Sequence, residues 1–330
     1  MINPEVKLNP KLLAKDVEML PTRDGYGKGL VEAGEKDPRV VVLCADLAES
    51  TRSLWFKEKF PERYIEMGVA EQNMATVAAG LANYGKIPFI SSYAAFSPGR
   101  NNEQIRTTIC INNVPVKIGG AHAGISVGPD GATHQALEDI GLMRMLPRMT
   151  VLVPCDAIEA KKATLAAASL PGPVYIRFGR EKSPIITTED TPFQIGKAEV
   201  FRNGKDATII AAGMLLWNAL EAAEALAKEG IDIRVINNHT IKPIDTEILI
   251  AAAKETGAVV TVEEHQIHGG LGAAVAEVLA QNHPVPMEFI GVRDRFGESG
   301  DPFELIEKFG LGTGAIKEAV GKVISRKIKN

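Results

Sequence analysis

Two histidines and an aspartate lie in one glycine-rich segment, GGAHAGISVGPDGATHQALED (119–139), between a predicted strand and a predicted helix. His122, Asp130 and His134 bring together two imidazoles and a carboxylate, which exchange protons and hydrogen-bond polar ligands. Open α/β sheets place ligand sites in the loops beyond the carboxyl ends of their strands. No short-spaced histidine pair or cysteine accompanies them, so metal ligation is the weaker interpretation, and an ordinary surface loop is the alternative.

A further acidic residue lies where a predicted strand changes to a predicted helix. In GVAEQNMATVAAGLANYG (68–85) we expect the strand to end at Val69 and a helix rich in small residues to run from Glu71 to Tyr84. A carboxylate in the first turn of a helix ordinarily complements the helix dipole at the surface. By itself, this position therefore predicts that Glu71 is a surface carboxylate.

The elements that position these residues follow an α/β pattern. Short β-branched runs alternate with Ala-rich segments of helical period, as in parallel strands joined by crossover helices. The early strands are mostly continuously apolar, which is typical of strands covered on both faces. We predict strands over 39–46, 87–94, 114–121, 149–154 and 173–178, with helices over 71–84 and 157–169.

The periodicity breaks over 181–194, where Pro184, Pro192 and the polar run TTED predict a linker. We therefore predict a first domain over 1–187 and a smaller α/β domain over 188–330. The second domain has predicted strands at 206–213, 232–238 and 258–265. A Gly-Gly-Leu-Gly turn at 269–272 then leads into a helix, and it favours tight turning over phosphate binding.

Composition excludes several classes of function. The 330 residues are 45% hydrophobic and 24% charged, which is enough for two domain cores. The net charge of -4, without acidic or basic runs, argues against nucleic-acid or membrane-surface binding. No apolar stretch approaches the roughly 20 residues that span a bilayer, and no signal peptide is evident. We expect a cytoplasmic protein whose cysteines, Cys44, Cys110 and Cys155, are buried reduced thiols.

Three segments together resemble the transketolase family of thiamine diphosphate enzymes. They are RYIEMGVAEQNMATVAAGLA (63–82), SSYAAFSPGRNNEQIR (91–106) and the segment from 119 to 156, and the resemblance extends from about Arg23 to about Lys322. It implies a pyrimidine-binding domain with a doubly wound parallel sheet, followed by the family's smaller α/β C-terminal domain. The implied activity transfers a two-carbon ketol unit from a ketose phosphate to an aldose phosphate.

The resemblance assigns residues to the aminopyrimidine ring of the cofactor. Glu71 matches the family's glutamate that hydrogen-bonds a ring nitrogen and favours the imino tautomer, whose exocyclic nitrogen removes the thiazolium proton. Tyr93 and Phe96 fall where aromatic rings flank the pyrimidine. Asp46 matches a residue that lines the cofactor pocket.

The loop after these aromatic residues departs from the family pattern. It is one residue longer than in close relatives, and Gly99 stands where a third aromatic residue is often found. The resemblance therefore leaves two interpretations for Arg100, which are contact with the cofactor and contact with the substrate.

The resemblance also places the sugar. The residues matching His122, Asp130 and His134 contact the hydroxyls and carbonyl of the substrate, and with Glu71 the two histidines are the predicted catalytic residues. Arginine offers a fixed fork of donors to phosphate oxygens. The positions that match the family's phosphate-binding rim are Arg23, Ser50 and Arg180.

A complete transketolase also holds the cofactor's diphosphate through a divalent ion, in a domain marked by Gly-Asp-Gly and a later Asn. This chain contains no Gly-Asp-Gly, and only 22 residues precede Arg23. We therefore expect thiamine diphosphate as the cofactor and Mg²⁺ bound by a separate N-terminal subunit, with no metal ligands in this chain. The expected assembly is a dimer of such heterodimers.

Three alternatives belong to related or different classes. A 1-deoxyxylulose-5-phosphate synthase shares the loop and the glutamate, but Ser-Tyr-Ala-Ala-Phe and His-Ala-Gly-Ile-Ser resemble transketolase more. Pyruvate dehydrogenase beta subunits share the split arrangement, but the helix start His-Gln-Ala-Leu-Glu-Asp resembles them less. A non-catalytic regulatory subunit is disfavoured because Glu71 and the three loop residues are all present. The preferred sugars stay open.

Overall fold

Strands and helices alternate along most of the chain in the computed structural model, which describes residues 1–327. The strands are β1 Met19–Pro21, β2 Val40–Cys44, β3 Tyr64–Glu66, β4 Ile87–Tyr93, β5 Lys117–Ala121, β6 Thr150–Leu152, β7 Val174–Arg177, β8 Lys182–Pro184, β9 Glu199–Arg202, β10 Ala207–Ala211, β11 Ile233–Asn237, β12 Thr240–Lys242, β13 Val259–Gln266 and β14 Met287–Val292. The α-helices are α1 Thr22–Lys36, α2 Ser53–Lys59, α3 Glu71–Asn83, α4 Asn102–Gln104, α5 Asp139–Arg144, α6 Ala157–Ser169, α7 Leu216–Lys228, α8 Thr246–Thr256, α9 Leu271–Asn282, α10 Pro302–Lys308 and α11 Thr313–Ser325. The predicted α/β class is confirmed.

The larger sheet has seven strands in the order β12, β6, β7, β5, β4, β2, β3. Every neighbouring pair is parallel except β12 with β6. Val41 and Leu43 of β2 belong to the core beneath α3, whereas Val40 and Val42 belong to the core beneath α1 and α6. Successive strand residues face opposite sides, so helices cover both faces and the strands need apolar residues throughout.

The smaller sheet follows in the order β14, β13, β10, β11, β9, with only β9 antiparallel to its neighbour. The first residues of the chain pack against this later sheet. The Asn3 N–H donates to the carbonyl of Phe201 at 2.9 Å, and the Trp217 indole N–H donates to the carbonyl of Leu12 at 2.8 Å. The boundary at 187/188 falls in a stretch between β8 and β9 without regular structure, and it stays a prediction.

One predicted strand end was wrong, and two short strands were not predicted. β3 ends at Glu66 and not at Val69, because the Glu66 carboxylate accepts the N–H groups of Asp46 at 2.8 Å and Gly68 at 3.0 Å and so turns the chain. The predicted linker contains β8, which pairs antiparallel with β1 and places Pro184 on an edge where no N–H is needed. Finally, β12 comes from the C-terminal part yet extends the larger sheet.

The glycine turn before α9 has two of its backbone donors already occupied. The buried Glu263 carboxylate accepts the N–H of Leu271 at 2.7 Å and of Gly272 at 2.8 Å. A Cβ on Gly270 would lie 2.0 Å from the same carboxylate. The turn therefore serves close packing, which is the interpretation that the sequence favoured over a phosphate site.

Two further observations concern the chain as a whole. Cys44, Cys110 and Cys155 are buried and free, as expected. None of the helices within residues 1–327 combines the length and the apolar character needed to cross a membrane.

Candidate active site

The predicted site residues gather at the carboxyl-terminal edge of the larger sheet. Asp46 follows β2, Tyr93 ends β4 and His122 follows β5, and these three strands are adjacent and parallel. Arg23 lies in the first turn of α1, and Arg180 follows β7. Since parallel strands in one sheet end at the same edge, residues far apart in sequence meet there.

Four rings form a cluster at this edge. The imidazole of His122 stacks on the Tyr93 ring, with centroids 4.0 Å apart and an interplanar angle of 21°. Tyr93 and Phe96 lie 5.9 Å apart at 26°. His134 approaches both aromatic rings edge-on, at 5.9 Å from Tyr93 and 5.3 Å from Phe96. The structure thus brings together two residues that the resemblance assigned to the cofactor and two that it assigned to the sugar.

His122 is held as a neutral hydrogen-bonding group. Its backbone is left-handed, with φ 52°, and the residue is 2% exposed. An Arg23 Nη1 donor lies 3.3 Å from Nε2, and burial together with Arg23 lowers the pKa of His122 to about 3. Because Nε2 accepts from the arginine, the ring proton is assigned to Nδ1, which has no partner within residues 1–327. His122 therefore presents an unpaired N–H donor.

The two rim arginines contact backbone carbonyls. Arg23 Nη1 donates to the Ser50 carbonyl at 3.1 Å, so Ser50 enters this contact through its backbone. Arg180 donates to the Val127 carbonyl at 2.8 Å, and its Nη1 lies 3.9 Å from Oδ2 of Asp130. The side chains of Arg180 and Asp130 are 30% and 35% exposed. This pair lies at the rim and not within the ring cluster.

Glu71 is not a surface carboxylate. It is the first residue of α3 and is 1% exposed. Its Oε2 accepts a hydrogen bond from Nη1 of Arg100 at 2.7 Å, and the Arg100 guanidinium lies 4.8 Å from the centroid of the Phe96 ring. The buried carboxylate is therefore linked to the ring cluster through Arg100.

Asp46 lies apart from these contacts. It is exposed and left-handed, with φ 56°, and its backbone N–H donates to Glu66. In the described part of the chain, no side-chain hydrogen bond joins Asp46 to the rings. The structure brings its strand end to the site edge without bringing its carboxylate into the cluster.

Sequence reasoning missed the buried charges beneath the glycine-rich loop. Oε1 of Glu264 in β13 accepts the N–H of Ser126 at 2.6 Å, and a Cβ on Gly124 (φ 95°) would lie 2.4 Å from the same carboxyl group. Arg177 in β7 donates to Asp139 at 2.8 Å and to the Glu264 carbonyl at 2.7 Å. The sequence does contain an indication of these contacts. Charged residues stand within the otherwise apolar predicted strands AVVTVEEH and PVYIRF, and buried charges require partners.

Comparison with known proteins identifies the family. The family model described as "Transketolase, pyrimidine binding domain" matches residues 18–185, and that described as "Transketolase, C-terminal domain" matches residues 196–316. The chain is also 44% identical over 305 residues to the 6-deoxy-6-sulfo-D-fructose transketolase subunit SqwH of Clostridium sp. (strain MSTE9), covering 92% of this chain and 95% of that one. The chain belongs to the transketolase family.

Two further matches show which part of a transketolase this chain represents. A solved structure described as "Split gene transketolase, inactive beta4 tetramer" is 48% identical, with a TM-score of 0.88, and the match covers 94% of this chain and 100% of that one. Human transketolase is 38% identical over 313 residues, which are 94% of this chain but 50% of the human protein. The identification as the C-terminal subunit of a split transketolase is confirmed.

The transketolase family depends on thiamine diphosphate, and the residues present fit the cofactor's pyrimidine ring. A buried carboxylate, Glu71, is hydrogen-bonded to Arg100, whose guanidinium lies over the Phe96 ring. Nδ1 of His122 and the hydroxyl of Ser92, in the sheet edge below, are enclosed polar atoms without a partner within residues 1–327. Enclosed polar atoms ordinarily have hydrogen-bond partners, so this edge offers donors and acceptors for a ligand.

Proposed function

We propose that this transketolase chain and a separate N-terminal subunit transfer a two-carbon ketol unit from a ketose phosphate to an aldose phosphate. The observation that carries the proposal is the buried Glu71 carboxylate, which Arg100 links to the cluster of aromatic rings at the carboxyl-terminal edge of the sheet. Thiamine diphosphate, when bound, supplies a carbon nucleophile and an electron sink for cleaving the bond beside the ketose carbonyl. The protein orients the reactants and holds protons at defined atoms.

The residues at this edge take the roles that the family resemblance implies for them, and their positions support these roles. Glu71 holds a proton at the pyrimidine ring nitrogen, and Tyr93 and Phe96 flank the ring. The unpaired Nδ1–H of His122 donates to a sugar oxygen. His134, whose Nδ1 lies 2.8 Å from the Thr133 hydroxyl, also contacts the sugar. Asp46 lines the outer part of the cofactor pocket.

The rim favours an anionic end of the sugar. Burial and the neighbouring Arg52 lower the pKa of Arg23, although the carboxylates of Asp24 and Glu181 oppose this shift, and Arg180 adds a further positive charge to the surroundings of His122. Crowded cations are stabilised by an anion. We propose that Arg23, Arg180 and Ser50 bind the sugar phosphate. The Clostridium relative is named for a sulfo sugar, and the same fork of donors suits a sulfonate.

We further propose that Mg²⁺ is bound by the N-terminal partner subunit in a dimer of heterodimers in the cytoplasm. Within residues 1–327 no group of three or more His, Cys, Asp or Glu is arranged to hold a metal. The match to half of human transketolase supports a partner that supplies the remainder. The split-gene structure, a tetramer of beta subunits, is described as inactive, which also supports a need for the second subunit.

The first test is reconstitution. The purified chain, supplied with thiamine diphosphate, Mg²⁺ and sugar phosphates, is expected to show no ketol transfer, because it has only the pyrimidine half of the cofactor site. Adding the separately purified N-terminal subunit should restore aldose phosphate production, followed in a coupled assay. Heat-denatured partner is the control. Sustained turnover by this chain alone would show that the split-site proposal is wrong.

A second test concerns the rim. Asp130→Ala should raise the KM for the ketose about tenfold, which corresponds to about 1.4 kcal/mol for one lost hydrogen bond to a sugar hydroxyl. The dissociation constant of thiamine diphosphate should stay within about twofold of wild type, because Asp130 lies at the rim. Asp16→Ala, at another exposed aspartate, is the matched control. An equal loss of cofactor binding would show that the loop was assigned to the wrong ligand.

A further inference from the structure

The contact between Arg100 and Glu71 uses only one of the two carboxylate oxygens. Arg100 Nη1 donates to Oε2 at 2.7 Å, and within residues 1–327 no hydrogen bond reaches Oε1. Oε1 therefore keeps its acceptor lone pairs unused. A buried carboxylate is thus held from one side and free on the other.

The loop that carries Arg100 is fastened to the start of α3. The Asn101 amide nitrogen donates to the Glu71 carbonyl at 3.1 Å and to the Ser97 hydroxyl at 3.1 Å. The Arg100 N–H donates to the Phe96 carbonyl at 2.9 Å. These bonds fix the backbone on both sides of the ion pair, so the guanidinium approaches Glu71 from a set direction.

The two side chains of this ion pair differ in burial, and the difference favours the pairing. Glu71 is 1% exposed, whereas the Arg100 side chain is 47% exposed. Burying a carboxylate is costly unless it is paired and hydrogen-bonded, while a half-exposed arginine loses little hydration by providing the pairing. The guanidinium donates but cannot accept, so it orders Glu71 without competing for the proton that the carboxylate shares with a ligand.

We propose that Arg100 is a positioning residue that holds Oε2 of Glu71 and thereby leaves Oε1 for the pyrimidine ring nitrogen. This inference rests on the role proposed above for Glu71. It adds a third interpretation to the two that the sequence left open, because Arg100 then acts through Glu71.

The test uses the reconstituted two-subunit enzyme with Mg²⁺ and thiamine diphosphate. Arg100→Ala should slow exchange of the thiazolium proton about 10- to 100-fold, by analogy with the loss of groups that orient metal ligands. Arg100→Lys, which keeps the charge but not the fork, should fall between this variant and wild type. Arg106→Ala, at an exposed arginine six residues on, is the control and should match wild type. Calorimetry should give a cofactor dissociation constant that is unchanged or raised.

The double variant Glu71→Gln/Arg100→Ala shows whether Arg100 acts through Glu71. If it does, adding Arg100→Ala to Glu71→Gln should change exchange less than about threefold, because residues that act as a unit are not additive. Losses that multiply would overturn the inference. Tighter cofactor binding by Arg100→Ala with unchanged exchange would also overturn it, since the guanidinium would then occupy the place of the ring.

The same series separates this inference from the proposed function. If Glu71→Gln alone leaves exchange at the wild-type rate, the role of Glu71 itself is wrong. If Glu71→Gln slows exchange and Arg100→Ala does not, only the positioning role of Arg100 is wrong.

Discussion

Glu71→Gln is expected to slow thiazolium proton exchange about 100- to 10,000-fold in the assembled enzyme, the usual cost of losing one positioned acid–base group. The substitution keeps the size of the side chain, so the fold and the pairing of subunits should persist. The expected loss of exchange rate comes from the orientation of the glutamine amide group. Arg100 donates to Oε2 of this side chain, so the amide oxygen of glutamine will take that place. The amide NH₂ group will then face the ring nitrogen, and it cannot accept the proton that the imino tautomer carries there.

Deuterium exchange at the thiazolium carbon, followed by NMR, measures this step before any sugar is added. Wild-type and variant chains are each combined with the N-terminal subunit, Mg²⁺ and cofactor. Glu103→Gln is the matched control, because Glu103 is an exposed glutamate at the surface of α4. Exchange in Glu71→Gln within about threefold of wild type, a difference under roughly 0.7 kcal/mol, would show that Glu71 has only a structural role.

The fold could be predicted to a large extent because its signals are local. Asp156 accepts the N–H of Glu159 at the start of α6, and Pro171 follows the end of this helix. Residues next to the helix therefore determine both of its ends. The continuous apolar strands follow from helices on both faces of the larger sheet. Strand β12 has no local sequence pattern of this kind. It is only three residues long, and its pairing with β6 is what makes it a strand.

In the site, too, some contacts could be predicted from the sequence and others could not. His122, Tyr93 and Phe96 were placed by resemblance, and the common edge of adjacent parallel strands explains why they meet. The bond from Glu264 to Ser126 spans 138 positions. No periodicity in the sequence specifies such a contact, because it depends on how β13 of the smaller sheet packs beneath the loop. Long-range polar contacts of this kind were therefore missed even where their charges were conspicuous.

The largest effect on stability is expected at the buried ion pair beneath that loop. Arg177 and Asp139 are 6% and 1% exposed, and the Arg177 Nε donates to Oδ2 of Asp139 at 2.8 Å. The Tyr175 hydroxyl donates to the same oxygen at 2.6 Å. Asp139→Ala would leave the arginine charge buried without its carboxylate. We expect the free energy of unfolding to fall by about 3–5 kcal/mol, as when one member of a buried pair is removed.

Urea unfolding at a fixed protein concentration measures the loss, and two variants show its cause. Asp16→Ala breaks a pair of similar length, 2.7 Å to Lys11, whose side chains are 69% and 64% exposed, and it should cost under about 1 kcal/mol. Asp139→Leu/Arg177→Met removes both buried charges and should recover part of the stability, because an apolar pair of similar volume needs no hydration, whereas the Tyr175 hydroxyl and the Glu264 carbonyl lose their partners. If Asp139→Ala cost no more than Asp16→Ala, the remaining contact of Arg177 with the Glu264 carbonyl would suffice to hold its charge.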